Sequence, residues 1–157
     1  MKQQTRTSEI LAADGLDRRQ LLRGSLGFFG AFPLCCSTPR LNAESIGFEG
    51  GALRIDLRKA PELREAGSAA AIVDEGRKLN LILARTGKNG FVALNRACTH
   101  GGAPCTYNHK RRTLQCTSLN HAEYDLRGAL LHGRTHGDLR AYEVRRAGTF
   151  LEIRLQG

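Results

Sequence analysis

Aromatic side chains are scarce in this sequence, which has six Phe, three Tyr and no Trp among 157 residues. A hydrophobic core must therefore be built mainly from Leu, Ile, Val and Ala. The length suits one ordinary domain with a short extension. Repeats and low-complexity tracts are also lacking, which argues against a solenoid or a fibrous protein.

Two kinds of functional pattern are missing as well. There is no nucleophile–base pair and no substrate-binding fingerprint, so no catalytic residue is predicted. The 24 Lys and Arg against 15 Asp and Glu give a formal charge of +9. No aromatic-interleaved basic stripe accompanies that charge, so nucleic acid is not a predicted partner. The excess is either a solvated surface or a docking face for an acidic partner or an anionic membrane.

Long apolar runs are absent, and residues 24–36 form a Gly-rich run that is short against the ~20 apolar residues that span a bilayer. Arg18 and Arg19 precede this run, with Leu21 and Leu22 between. A charged flank, an apolar run and then small residues are typical of an export signal, and the paired arginines resemble a twin-arginine signal. The alternative is a short buried helix with a chance Arg-Arg pair.

We therefore predict that residues 1–44 are an export signal or anchor with a linker, and that residues 45–157 are the folded domain. The protein is expected on the periplasmic side of the cytoplasmic membrane, with the signal either cleaved or retained as an anchor. Residues 38–51 are polar and contain Pro and Gly, which indicates a linker. Lipidation of Cys35 or Cys36 is not predicted.

Short alternating segments separated by turn residues predict an all-β fold, a sandwich or a small barrel. Asn89-Gly90 is a strong hairpin signal between two of these segments. A single helical turn is predicted after Pro61. The predicted strands cover residues 53–57, 70–73, 79–84 and 91–94, with hairpins over 124–131 and 139–155.

Two loops carry the residues with metal chemistry. The first holds Cys98 and His100, and the second holds Cys116 and His121. Both are dense in Gly, Pro, Asn and Ser, which favours loops over strand interiors. Two loops that each offer one thiolate and one imidazole match a mixed [2Fe-2S] centre, in which two Cys bind one iron and two His bind the other.

This pattern resembles the Rieske iron–sulfur proteins, over residues 46–157 and most strongly over 91–144. Cys98-Thr99-His100 matches the first family motif and is followed by two glycines, and Tyr124-Asp125 begins a turn that resembles the family's aromatic-Asp-x-x-Gly turn. The resemblance implies a Rieske-like antiparallel β-sandwich with two cluster-binding loops. It implies a [2Fe-2S] cluster as cofactor, with Cys98 and Cys116 on the inner iron and His100 and His121 on the outer iron.

The sequence departs from the family pattern in both loops. The second motif is two residues longer than the family's Cys-x-x-His, and His121 is the histidine available there. Cys105 matches one half of the family's inter-loop disulfide, but Ser118 stands where the other half would be. That disulfide is therefore predicted to be absent, and Cys105 is predicted to be a free thiol.

Two further residues are expected to tune the cluster. Tyr124 resembles the tyrosine that hydrogen-bonds a ligand sulfur in high-potential members. Glu123 stands where those members have a serine, and a carboxylate there should lower the reduction potential. We expect a potential below the upper end of the range of about −150 to +300 mV for such centres.

The resemblance implies one-electron transfer as a subunit or partner of a redox complex, with a quinol-oxidising bc-type complex, a cytochrome or a molybdenum oxidase subunit as partner. One alternative is the ferredoxin component of a Rieske oxygenase system, against which the export signal argues. Another is a zinc-stabilised binding module using the same four residues, although Cys98-x-His100 is closer than the usual spacing of zinc ligands.

Overall fold

Antiparallel strands make up most of the regular structure in residues 37–119 and 121–155, the part of the chain that the computed structural model describes. This confirms the predicted all-β class. Three 3-10 helices cover Ala43–Ser45, Leu57–Lys59 and Pro61–Leu63. The strands are β1 (Ile46–Glu49), β2 (Ala52–Asp56), β3 (Ala69–Asp74), β4 (Leu79–Arg85), β5 (Phe91–Asn95), β6 (Cys105–Asn108), β7 (Thr113–Cys116), β8 (Glu123–Tyr124), β9 (Leu130–His132), β10 (Ala141–Tyr142), β11 (Val144–Ala147) and β12 (Phe150–Arg154).

The strands form three sheets of four strands each. Their orders are β1-β2-β12-β11, β10-β5-β4-β3 and β6-β7-β8-β9. All pairings between these strands are antiparallel. The third sheet is built from the part of the chain that contains both predicted ligand loops.

The sheet β10-β5-β4-β3 is buried on both faces, because its central strands are apolar at consecutive positions. Side chains alternate across a strand, so neighbouring residues enter different cores. One core takes Ala70, Ile72, Leu81 and Leu83 together with residues of the first sheet. The other takes Ala69, Ile82, Ala84 and Leu94 together with the third sheet and its cysteines.

Most predicted strands are confirmed, and so is the Asn89-Gly90 turn, where Thr86 N–H donates to the Gly90 carbonyl at 2.9 Å between β4 and β5. The predicted linker over residues 38–51 is wrong. It contains β1, which turns through Gly50 and Gly51 at φ 57° and 78° into β2. Strands β6 and β7 are not among the predicted strands, and the four residues of β6 are mostly polar and follow Pro104.

The N-terminal border of the fold is well packed. Thr38 and Leu41 are buried, and the Leu41 N–H donates to the Ala71 carbonyl at 2.8 Å. Both residues precede position 45, where the domain is predicted to begin. The predicted export signal lies in residues 1–36, outside the described residues. None of the helices formed by the described residues has the length and hydropathy that crossing a bilayer requires.

Asp56 is expected to make folding stability depend on acid pH. Hydrogen bonds from the Arg58 side chain at 2.7 and 3.0 Å lower the pKa of its carboxyl from 3.8 to about 2. A depressed carboxyl pKa stabilises the folded state above the unfolded pKa, and this contribution is lost as pH falls from about 4 to 2.

Asp56→Asn should therefore lower the free energy of unfolding at pH 7 and flatten its decline between about pH 4 and 2. The difference should be small and sensitive to salt, because the Arg58 side chain is 66% exposed. Urea unfolding at a series of pH values measures it. Parallel pH profiles for the two proteins would contradict the prediction.

Gly133 is expected to be required for the close packing of its backbone against Ala122 in the second ligand loop. A Cβ at Gly133 would lie 2.7 Å from the Cα of Ala122, the residue after His121. Gly137 also has a positive φ, but a Cβ there meets no atom within 4 Å. Both substitutions to Ala carry backbone strain, so Gly137→Ala is a matched control.

Gly133→Ala should lower the free energy of unfolding by about 1–3 kcal/mol more than Gly137→Ala does, as overpacking does elsewhere. Denaturant unfolding of the two variants at one pH measures the difference. Equal losses would mean that the close approach to Ala122 relaxes without cost.

Candidate metal centre

The first ligand loop is a tight return between β5 and β6. The Cys98 N–H donates to the Ala103 carbonyl at 2.8 Å, and the Gly102 N–H donates to the Cys98 carbonyl at 2.8 Å. The Cys105 N–H donates to the Arg96 carbonyl at 2.7 Å. These bonds bring the two ends of the loop together, so Cys105 returns to the neighbourhood of Cys98.

The second ligand loop begins where β7 ends. Cys116 is the last residue of β7 and lies opposite Cys105 in the pairing of β6 with β7. The sulfurs of Cys98, Cys105 and Cys116 all lie within 4.8 Å of one another. All three are free thiols, and they are 2%, 0% and 4% exposed. Among the described residues, Cys105 forms no disulfide.

Tyr124 connects the third sheet to the first ligand loop. Its side chain is fully buried, and its Oη lies 3.1 Å from Cys98 Sγ and 3.3 Å from Thr99 Oγ1. Thr99 Oγ1 donates to the Gly137 carbonyl at 2.9 Å. The segment after β9 is thereby attached to the first loop beside Cys98.

His100, in the first ligand loop, contacts residues of both loops. Its Nδ1 is 2.8 Å from Cys98 Sγ, and its Nε2 is 3.1 Å from Ser118 Oγ. Ser118 Oγ is in turn 3.2 Å from Cys116 Sγ. A chain of contacts therefore runs from Cys98 through His100 and Ser118 to Cys116.

The fourth predicted ligand is placed differently. His121 is exposed, and its backbone at φ 47° donates from N–H to the Ser118 carbonyl at 3.1 Å. In the described part of the chain, the ligand atoms that gather within 4.8 Å of one another are the three thiols, and neither His100 nor His121 belongs to that group. The structure thus brings Cys98 and Cys116 together, places His100 against Cys98 and Ser118, and leaves His121 exposed.

Glu123 faces charged and polar groups rather than solvent. Its Oε1 accepts a hydrogen bond from the Thr113 hydroxyl at 2.6 Å and lies 3.2 Å from Arg111 Nε. Tyr124, the next residue, contacts Cys98, and neighbouring residues of a strand point to opposite faces. Arg111 offsets the Glu123 charge, so the expected lowering of the potential by Glu123 remains a prediction.

The surroundings shift the pKa values of Cys105, Cys116 and Tyr124. Burial raises the pKa of the Cys105 thiol far above its usual value, and the nearby Cys98 and Cys116 add to that rise. Burial also acts on Cys116, but hydrogen bonds from Ser118 outweigh it and its pKa lies below the usual value. Burial and the contact with Cys98 raise the pKa of Tyr124, which keeps its hydroxyl proton available for donation.

Sequence reasoning missed two members of this site. In the sequence, Ser118 stands out only as the residue in place of a disulfide cysteine, although a hydroxyl two residues after Cys116 is close enough to contact its sulfur. Cys105 was expected to be a free thiol, and its approach to both other thiols depends on β6, which was not predicted.

Comparisons with known proteins give likenesses to solved structures, two of which follow. No protein-family model and no curated protein matches the chain. The ferredoxin of carbazole 1,9a-dioxygenase from Nocardioides aromaticivorans IC177 is 22% identical, with a TM-score of 0.48 over 59% of this chain and 88% of that one. The cyanobacterial plasma membrane Rieske protein PetC3 from Synechocystis PCC 6803 is 19% identical, with a TM-score of 0.44 over 66% of this chain and 85% of that one. The chain thus resembles Rieske-type proteins in its loop motifs, and the solved structures similar to it include a Rieske protein.

Proposed function

We propose that this protein transfers single electrons through a Rieske-type [2Fe-2S] cluster held by Cys98, Cys116, His100 and His121. The observation that carries the proposal is the pair of buried thiols, Cys98 and Cys116, which two separate loops bring within 4.8 Å of each other. Two thiolates on one tetrahedral metal ion lie about 3.8 Å apart, so this pair fits one iron with a small adjustment.

The donor set suits a mixed centre. Cys98 and Cys116 supply the negative charge from the apolar side of the site, while His100 and His121 supply neutral imidazoles from the two loops. Such a centre takes up and returns one electron at about −150 to +300 mV, against roughly −400 mV for plant-type all-Cys clusters. The exposure of His121 suits a ligand on the solvent side of the site.

Two hydroxyl groups of the chain stabilise the reduced state of the cluster. The Tyr124 hydroxyl, held 3.1 Å from Cys98 Sγ, donates towards a sulfur that becomes more negative on reduction. The Ser118 hydroxyl, 3.2 Å from Cys116 Sγ, acts on the second sulfur in the same way. Both donors stabilise the reduced state and raise the potential.

We propose a redox protein as partner, in a quinol-oxidising bc-type or molybdenum-containing complex on the periplasmic side of the membrane. The paired arginines near the N-terminus support export, and the charge of +9 suits an acidic partner surface. Leu119 is 95% exposed on the second loop, which offers an apolar contact beside His121.

The cluster is tested on the full chain purified without oxygen. We expect two iron and two sulfide per chain, an EPR signal of mixed His/Cys ligation after dithionite reduction, and a potential between about −150 and +300 mV. His121→Ala should abolish or alter that signal, whereas His132→Ala, an exposed histidine on β9, should leave it unchanged. A potential near −400 mV, or protein without iron and sulfide, would refute the proposal.

Removing the Tyr124 hydroxyl should lower the reduction potential. A hydrogen bond to a charged group contributes about 1.5 kcal/mol at the low end of the usual range, which corresponds to roughly 60 mV for one electron. Tyr124→Phe should therefore shift the potential down by some tens of millivolts in a redox titration.

Tyr107→Phe is the matched control, because the Tyr107 side chain is 5% exposed and its hydroxyl has no hydrogen-bond partner in the described structure. It should leave the potential unchanged. Equal shifts in the two variants would assign the effect to packing instead of to the bond with Cys98.

A further inference from the structure

We propose that the two loops also form a site for a single tetrahedral, thiophilic divalent cation of the Zn²⁺ class. Its ligands are the sulfurs of Cys98, Cys105 and Cys116 and the Nδ1 of His100. This site goes beyond the electron-transfer function because it uses Cys105, which has no role there, and omits His121. It shares Cys98, Cys116 and His100 with the cluster, so it is a site of the chain that does not hold the cluster.

The three sulfurs already have nearly the spacing that one ion requires. With metal–sulfur bonds of about 2.3 Å, tetrahedral geometry sets sulfur–sulfur distances of about 3.8 Å. The observed sulfurs lie within 4.8 Å of one another, so each pair needs to approach by about 1 Å or less. All three are free and nearly inaccessible to solvent.

Cys105 is held in the trio by the backbone. It lies opposite Cys116 in the ladder of β6 and β7, and its N–H is bonded to the Arg96 carbonyl at 2.7 Å. Bringing Cys105 away from the other two sulfurs would break the pairing of these strands. A third thiolate at this point is therefore built into the fold.

His100 supplies the fourth ligand. Its Nδ1 lies beside Cys98 Sγ but outside the group of three sulfurs, so the imidazole must move towards Cys105 and Cys116 when the ion binds. Nε2 lies 3.1 Å from Ser118 Oγ, which lies 3.2 Å from Cys116 Sγ. If Nε2–H donates to Ser118 and the Ser118 hydroxyl donates to Cys116, the lone pair of Nδ1 is left facing Cys98 Sγ at 2.8 Å. Metal-binding histidines are commonly oriented by such a bond from the other nitrogen.

The chemistry balances without a redox step. The cation replaces the three thiol protons, which pass to solvent, and His100 binds as a neutral imidazole. Three thiolates and one divalent cation leave a single negative charge, towards which the hydroxyls of Tyr124 and Ser118 point. Three cysteines with one histidine form one of the usual donor sets of structural zinc sites.

Cobalt titration of the full chain, prepared free of iron and kept reduced, tests this site with the metal ion alone. We expect one Co²⁺ per chain, visible bands of tetrahedral cobalt, sulfur-to-cobalt absorption of three thiolates, and displacement of cobalt by Zn²⁺. Cys105→Ser should remove about a third of the sulfur-to-cobalt absorption and weaken Zn²⁺ binding.

Three further variants make the assignment specific. His121→Ala should leave cobalt absorption and zinc affinity unchanged, whereas His100→Ala should shift the visible bands and keep the sulfur-to-cobalt absorption. Ser118→Ala should weaken zinc binding by about 10- to 100-fold with the spectrum retained. Full sulfur-to-cobalt absorption in Cys105→Ser, or weakened binding in His121→Ala, would overturn the site.

The test of the cation site can fail or succeed independently of the test of the cluster. Protein that assembles iron and sulfide but shows two-thiolate cobalt absorption would overturn the cation site alone. Protein that binds cobalt through three thiolates but never holds iron and sulfide would overturn the electron-transfer function and support the cation site.

Discussion

The antiparallel pairing of β6 with β7 is the interaction on which the geometry of the site depends. It places Cys105 opposite Cys116, and the return of the first loop from Arg96 brings Cys98 to the same point. The pairing of β7 with β8 then sets Tyr124 against Cys98. A shift of one residue in either pairing would turn these side chains to the other face of the sheet.

The sheet β10-β5-β4-β3 packs against the sheet β6-β7-β8-β9 and supports it. Its strands are apolar at consecutive positions. One face therefore packs in the core shared with the sheet β1-β2-β12-β11, and the other face packs in the core that contains the three cysteines. The thiols therefore lie in an apolar setting, where a thiolate is costly unless a cation or a hydrogen-bond donor is beside it. Tyr124 and Ser118 are such donors, and a metal or cluster would supply the positive charge.

The cluster and the single-cation site share Cys98, Cys116 and His100 and differ in the remaining ligand. A cluster needs a second imidazole on its outer iron, which His121 could supply from the exposed second loop. A single ion needs ligands on all sides of one point, where Cys105 already stands. Which of the two sites forms depends on whether the second loop contributes His121 or β6 contributes Cys105 as the last ligand.

The sequence by itself determined the all-β class and the identity of most strands, and it predicted the two loops that carry Cys98, His100, Cys116 and His121. These depend on local patterns, namely alternation, turn residues and the spacing of Cys and His along the chain. The tertiary structure alone decided that Cys105 joins the other two thiols, that Ser118 contacts Cys116 and His100, and that Glu123 contacts Arg111. These contacts join residues through β6 and through the register between strands, which a short polar segment and its local sequence do not reveal.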